Sequence, residues 1–159
     1  MALTAASADL SDPDPIFRKS TTFELLTPND KLAVYGVDDP LIDGVACRYT
    51  TPEKDGLTGA LGVAEQTSDI SLACRQCGPI NFRGTFPKAM SFSVSGGPFS
   101  FKKMQIVRGC DTKRNILVYM TYSDKIIEGS PKNSTSTVPI QPWGNSTDEI
   151  QKCDADYLR

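Results

Sequence analysis

The stretch from Asn115 to Ser123 (NILVYMTYS) constrains this fold more than any other part of the chain. Ile116, Val118 and Met120 alternate with Leu117 and Tyr119, so both faces of an extended segment here are apolar. That pattern predicts a central strand covered on both sides. Asp111-Thr112-Lys113-Arg114 just before it suits a type I turn, which makes this strand the antiparallel return of Phe99 to Arg108. Within Phe99 to Arg108 the apolar phase moves from Phe99 and Phe101 to Met104 and Ile106, so a β-bulge is expected near Lys102-Lys103.

Other short strands precede this pair. Phe23 to Leu26 is one; Lys31 to Val37 is a second, with Leu32 and Val34 opposite Ala33, Tyr35 and Val37. Val45 to Thr50 directs Val45, Cys47 and Tyr49 inward. Ile70 to Gln76 does the same with Ile70, Leu72 and Cys74, and Gly78-Pro79 ends it. Met90 to Val94 follows, with a turn at Gly96-Gly97-Pro98. Asp124 to Pro142 reads mainly as loop, and a frayed helical turn is expected around Asp148 to Ile150. The fold class is mainly β: a single-domain antiparallel β-sandwich or partly closed barrel with little helix. Residues 1–20 form a disordered or signal-remnant tail, 21–143 the β-rich domain and 144–159 an acidic C-terminal tail.

The function classes narrow by subtraction. The chain of 159 residues has no histidine, which removes Ser-His-Asp and Cys-His catalysis and every histidine-ligated metal. No catalytic residues, metal ligands or cofactor are assigned, and the reading leans against an enzyme. A net charge of -2 argues against nucleic-acid binding. No run reaches the ~18 apolar residues of a membrane helix.

Five cysteines need an account: Cys47, Cys74, Cys77, Cys110 and Cys153. Alternation places Cys47 and Cys74 on inward faces, so their disulfide is the first reading; closing that loop stabilises by about 3.5 kcal/mol in the chain-entropy model. A second bridge, Cys77 to Cys110, is the next expectation, leaving Cys153 over. Cys74-Arg75-Gln76-Cys77 also has C-x-x-C spacing, but its strand-like flanks lack the helix N-terminus that lowers a thiol pKa. The glycines at 56, 59 and 62 read as a flexible loop, and Asp38-Asp39 before Pro40 reads as a solvated turn. Asn133-Ser134-Thr135 and Asn145-Ser146-Thr147 are glycosylation sequons. Lys125, Glu128, Ser130, Lys132, Asn133 and Ser134, with the single tryptophan Trp143, make a candidate loop for a protein partner or a small anionic ligand. A role for Trp143 as a core anchor stands beside its role in binding.

At this point the residues themselves suggest a family. VYMTYSDKIIEGSPKNSTSTVPIQPW closely resembles the C-terminal signature of the CreA family, small exported bacterial proteins of uncharacterised function. DDPLIDGVACRY, GLTGALGVAEQTSDISLACRQCGPI and FKKMQIVRGCDTKRN resemble the family's other blocks in order, from about Thr21 to Trp143. The resemblance implies a periplasmic or otherwise exported location, and it implies that Cys47 and Cys74 are family cysteines. The chain departs at Cys77, where members usually have an aliphatic residue, and at Cys110, where they usually have an aromatic. No catalytic residue is carried over.

The reading is therefore an exported, non-enzymatic binding or accessory protein of undefined oligomeric state. Two alternatives stand: a thiol-disulfide protein using Cys74 and Cys77, and an accessory subunit of a larger assembly, with a plastid compartment as its alternative location.

Overall fold

A computed structural model describes residues 14–20, 30–54, 70–85, 89–95, 103–123 and 132–153. Eight strands carry the architecture: β1 (Asp14–Ser20), β2 (Asp30–Asp38), β3 (Ile42–Lys54), β4 (Ser71–Phe82), β5 (Ala89–Ser95), β6 (Lys103–Asp111), β7 (Ile116–Ser123) and β8 (Asn133–Pro139). They form two four-stranded antiparallel sheets, β1-β2-β3-β4 and β5-β6-β7-β8, and no closed barrel. The described residues contain no helix. The expected strand at Phe23 to Leu26, the glycines at 56, 59 and 62, the Gly96-Gly97-Pro98 turn and Lys102 lie outside the described residues, while Lys103, the other residue of the expected bulge, pairs with Ser95 without a register shift.

In the first sheet, period-two alternation decides which side chains enter the core. Ala33, Tyr35 and Val37 of β2 are buried with Val45, Cys47 and Tyr49 of β3 and Leu72 and Cys74 of β4. Tyr35 and Tyr49 are register partners and their rings stack at 5.3 Å. Two boundaries differ from expectation. Residues 14–20, assigned to a tail, pair with β2 as an edge strand. β4 does not stop at Gly78-Pro79 but continues to Phe82. Pro79 falls in the stretch of β4 that has no register partner in β3, so its missing N–H costs no ladder bond. An irregular bulge opposite Gly44 absorbs the extra residues. Gly44 has φ of 81°, and a Cβ there would overlap the carbonyl oxygen of Pro79.

In the second sheet, β6 and β7 make the expected hairpin. The Arg114 N–H donates to the Asp111 carbonyl at 3.2 Å, and Asn115 closes the turn in the left-handed region with φ of 54°. The inward face holds Ile106, Arg108, Leu117, Tyr119, Thr121, Ser136 and Val138, all buried. On the other face Ile116 and Val118 are half-buried and Met120 is exposed. The second cover expected for β7 is thus absent among the described residues. A two-layer fold gives a central strand one packed face, and the apolar residues of the other face stay at the surface.

Part of the segment expected to be loop is the strand β8, whose serines have a specific task. β4 and β8 are edge strands of different sheets and meet side by side. The Cys74 N–H donates to Ser136 Oγ at 2.8 Å and the Leu72 N–H to Ser134 Oγ at 3.2 Å. Side-chain hydroxyls thus satisfy backbone donors that would otherwise be orphaned at the seam. Gln76 extends the seam, accepting from the Gln141 N–H and donating to its carbonyl.

Residues 140–153 then run across one end of the sandwich as an extended strap, with a turn at Gly144 in place of the expected helical turn. Gln151 accepts from the Phe82 N–H at 2.6 Å, and Asn115 holds the Gln151 carbonyl and the Cys153 N–H. A segment expected as a tail is tied to both sheets.

Candidate functional site

Strands β6 and β7 and the residue just past β2 aim polar side chains into the apolar core at one place. Asp39 lies two residues beyond Val37, Arg108 two beyond Ile106, and Tyr119 two beyond Leu117, so alternation carries each onto the inward face. Arg108 and Tyr119 are also direct register partners in the β6–β7 hairpin. The pairing puts the guanidinium and the phenol side by side, opposite Asp39 from the first sheet.

The contacts close around Asp39. Arg108 donates through Nε to Oδ2 at 2.6 Å and through Nη2 to Oδ1 at 2.7 Å. The Tyr119 hydroxyl donates to Oδ2 at 2.8 Å, and the Leu41 N–H donates to Oδ1 at 2.9 Å. The Asp39 carboxylate thus receives donors at both oxygens, the condition for keeping a charge in a core. Of Asp38-Asp39, read as a solvated turn, Asp38 is exposed but ends strand β2 paired with Ala46, and Asp39 has a fully buried side chain. Burial, reinforced by the Asp39 charge, raises the Tyr119 pKa well above the ordinary phenol range. The hydroxyl therefore stays a donor. With both charged side chains at 0% exposure, the cluster meets no solvent-borne substrate and acts as a lock between the sheets.

Of the residues read as a binding loop, the described ones lie at different places along the chain. Lys125, Glu128 and Ser130 lie outside the described residues. Lys132 and Asn133 are exposed at the start of β8, while Ser134 is half-buried with its hydroxyl in the seam. Trp143 lies beyond the other end of β8 and is 45% exposed, so it does not anchor the core. Seven residues of extended strand separate these ends, roughly 23 Å at the usual rise.

The cysteines are also rearranged. Cys47 and Cys74 are register partners with Cα atoms 4.0 Å apart and are disulfide-bonded. Cys110 bonds to Cys153, not to Cys77, across a Cα separation of 6.1 Å. Cys77 is the free and exposed thiol. Its odd spacing from the inward Cys74 points it out of the first sheet, whereas Cys110 packs against the core at the hairpin end of the second. Cys74 and Cys77 accordingly form no redox pair. The burial of Cys153 was beyond sequence reasoning because it depends on the path of the strap.

One continuous surface remains. On the outer face of the second sheet, Gln105, Tyr122 and Asn133 form one cross-strand row, Val107, Met120 and Thr135 a second, and Gly109, Val118 and Thr137 a third. None of these residues is charged, and Met120 is 37% exposed. The sequence signal was present in the second apolar face of β7. Periodicity along one strand does not give the number of layers, so it does not tell this face from a buried one.

Comparison with known proteins places the chain in a wider group. The family model described as "CreA protein" matches residues 16–143. Protein CreA of Escherichia coli strain K12 is 41% identical over 138 residues, covering 84% of this chain and 88% of that protein. Protein CreA of Escherichia coli O157:H7 is similar to the same extent. No solved structure matches the chain.

Proposed function

The chain belongs to the CreA family, and from that premise we propose that it is an exported, non-enzymatic protein that binds a protein partner on the outer face of its second sheet. The observation that carries this reading is the uncharged, partly apolar surface formed by Val107, Val118, Met120, Tyr122, Thr135 and Thr137. Flat sheet faces of this composition suit a protein surface better than a small anion, which needs cationic donors that these positions lack. The absence of histidine and the closure of the Asp39 cluster favour binding over catalysis. Two disulfides fit an oxidising compartment, which supports export.

Site-specific photo-crosslinking in the native host tests the surface. A crosslinker at Thr135 is expected to trap a discrete protein, and one at Thr50, on the outer face of the first sheet, is not. Met120→Glu should abolish the Thr135 product while leaving the thermal midpoint near that of wild type. Equal trapping at both positions, or a Thr135 product indifferent to Met120→Glu, would refute the assignment. Fractionation against periplasmic and cytoplasmic markers tests the location.

A further inference from the structure

The two disulfides occupy different surroundings. Cys47 and Cys74 are 2% and 0% exposed in the middle of paired strands, with the rest of the core around them. Cys153 is 1% exposed, whereas its partner Cys110, at the hairpin end of β6, is half-buried and so the more exposed residue of the pair. The segment that this second bond secures is held otherwise by few groups. Residues 141–149 are exposed, and Ile140 and Ile150 are the strap's apolar contacts with the core. Among the described residues its other attachments are the Ile140 N–H, which donates to the Asn115 carbonyl, and amide side chains: Gln76 with Gln141, Gln151 with Phe82 and Asn81, and Asn115 with Gln151 and Cys153. Cys153 also lies outside the residues 16–143 that match the family model, so the bond joins the shared domain to a segment beyond it.

We propose that the Cys110–Cys153 disulfide is a redox latch, opened by a dithiol reductant, that decides whether the strap stays seated across the end of the sandwich. A thiolate of the reductant attacks Sγ of Cys110, the residue of the pair with more solvent exposure. The Cys110–Cys153 bond breaks and Cys153 departs as a thiolate, which takes a proton from solvent. The second thiol of the reductant, as its thiolate, attacks its own sulfur in the mixed disulfide and releases Cys110. Two electrons and two protons pass to the protein, and the reductant is left as a disulfide. Without the bond, the side-chain hydrogen bonds compete directly with water, and the strap opens as a local unit while both sheets persist.

Two backbone amides report the strap, since the Phe82 N–H bonds to Gln151 and the Cys153 N–H bonds to Asn115. The Cys74 N–H, bonded to Ser136, reports the seam between sheets. The test titrates the full-length protein with dithiothreitol after alkylation of Cys77. Mass spectrometry follows each disulfide and hydrogen exchange follows the three amides. Cys110–Cys153 should open at a lower reductant concentration than Cys47–Cys74. Protection at Phe82 and Cys153 should then fall by about tenfold or more while Cys74 remains protected. Cys153→Ser should expose Phe82 without reductant. If that variant does not fold, the mildly reduced and alkylated wild type gives the same reading. Opening of Cys47–Cys74 first, or retained protection at Phe82 after Cys110 and Cys153 have become thiols, would overturn the proposal.

Discussion

The guanidinium of Arg108 grips the carboxylate of Asp39 at two points across the interface between the sheets, with both side chains fully buried. Removing one partner leaves a charge in the core without its counterion. Asp39→Ala or Arg108→Met alone should therefore cost about 3–5 kcal/mol of unfolding free energy, measured by urea titration. The double variant Asp39→Leu with Arg108→Met should recover much of that loss. Additive single losses would show that the two residues do not act as a pair.

Tyr119 gives the cluster a pH signature. Its folded-state pKa is raised above the ordinary value of 10.0 by burial and by the Asp39 charge. A raised pKa means that the stabilisation is fully present below about pH 10 and is lost as pH rises beyond it. Wild type should lose up to about 1.4 kcal/mol more per pH unit than Tyr119→Phe in that alkaline range. Urea midpoints of both proteins between about pH 9 and pH 11 measure the difference. Parallel curves would contradict it.

Ser136 tests the seam. Its hydroxyl is the acceptor for the buried Cys74 N–H, so Ser136→Ala orphans that donor and should cost about 1–3 kcal/mol. Hydrogen exchange at Cys74 should accelerate more than exchange at residues in the centre of β3. Ser134→Ala, at a less buried position with a longer bond, should cost less.

Gly44 occupies a backbone conformation that other residues reach only with strain, and its missing side chain faces the Pro79 carbonyl. Gly44→Ala should cost about 2 kcal/mol or more once the steric overlap adds to the left-handed penalty of about 1–2 kcal/mol. A calorimetric midpoint unchanged from wild type would show that the bulge relaxes freely.

Strand faces were the most legible feature, because alternation needs only local sequence. Leu72 and Cys74 entering the core, Ser71 and Arg75 leaving it, and Leu32 opposed to Ala33 all follow from period two. The same rule applied to Ile106-Val107-Arg108 and Val37-Asp38-Asp39 would have placed Arg108 and Asp39 inside. Charged residues resist that reading, since burial costs too much unless a partner waits, and the partner lies 69 residues away. The serines of β8 misled for a related reason: Ser and Thr favour loops by composition, while here two of the hydroxyls complete a sheet edge. Within the candidate binding loop, strand β8 separates Asn133 from Trp143.

By itself the sequence determined the fold class, the inward faces, the β6–β7 hairpin and the resemblance to the CreA family, because each rests on contiguous residues. Tertiary structure alone decided the partner of Cys153, the closure of Asp39 by Arg108 and Tyr119, and the exposure of the second face of β7. Those outcomes depend on which distant strands meet and how many layers cover them, and alternation along one strand carries no information about either.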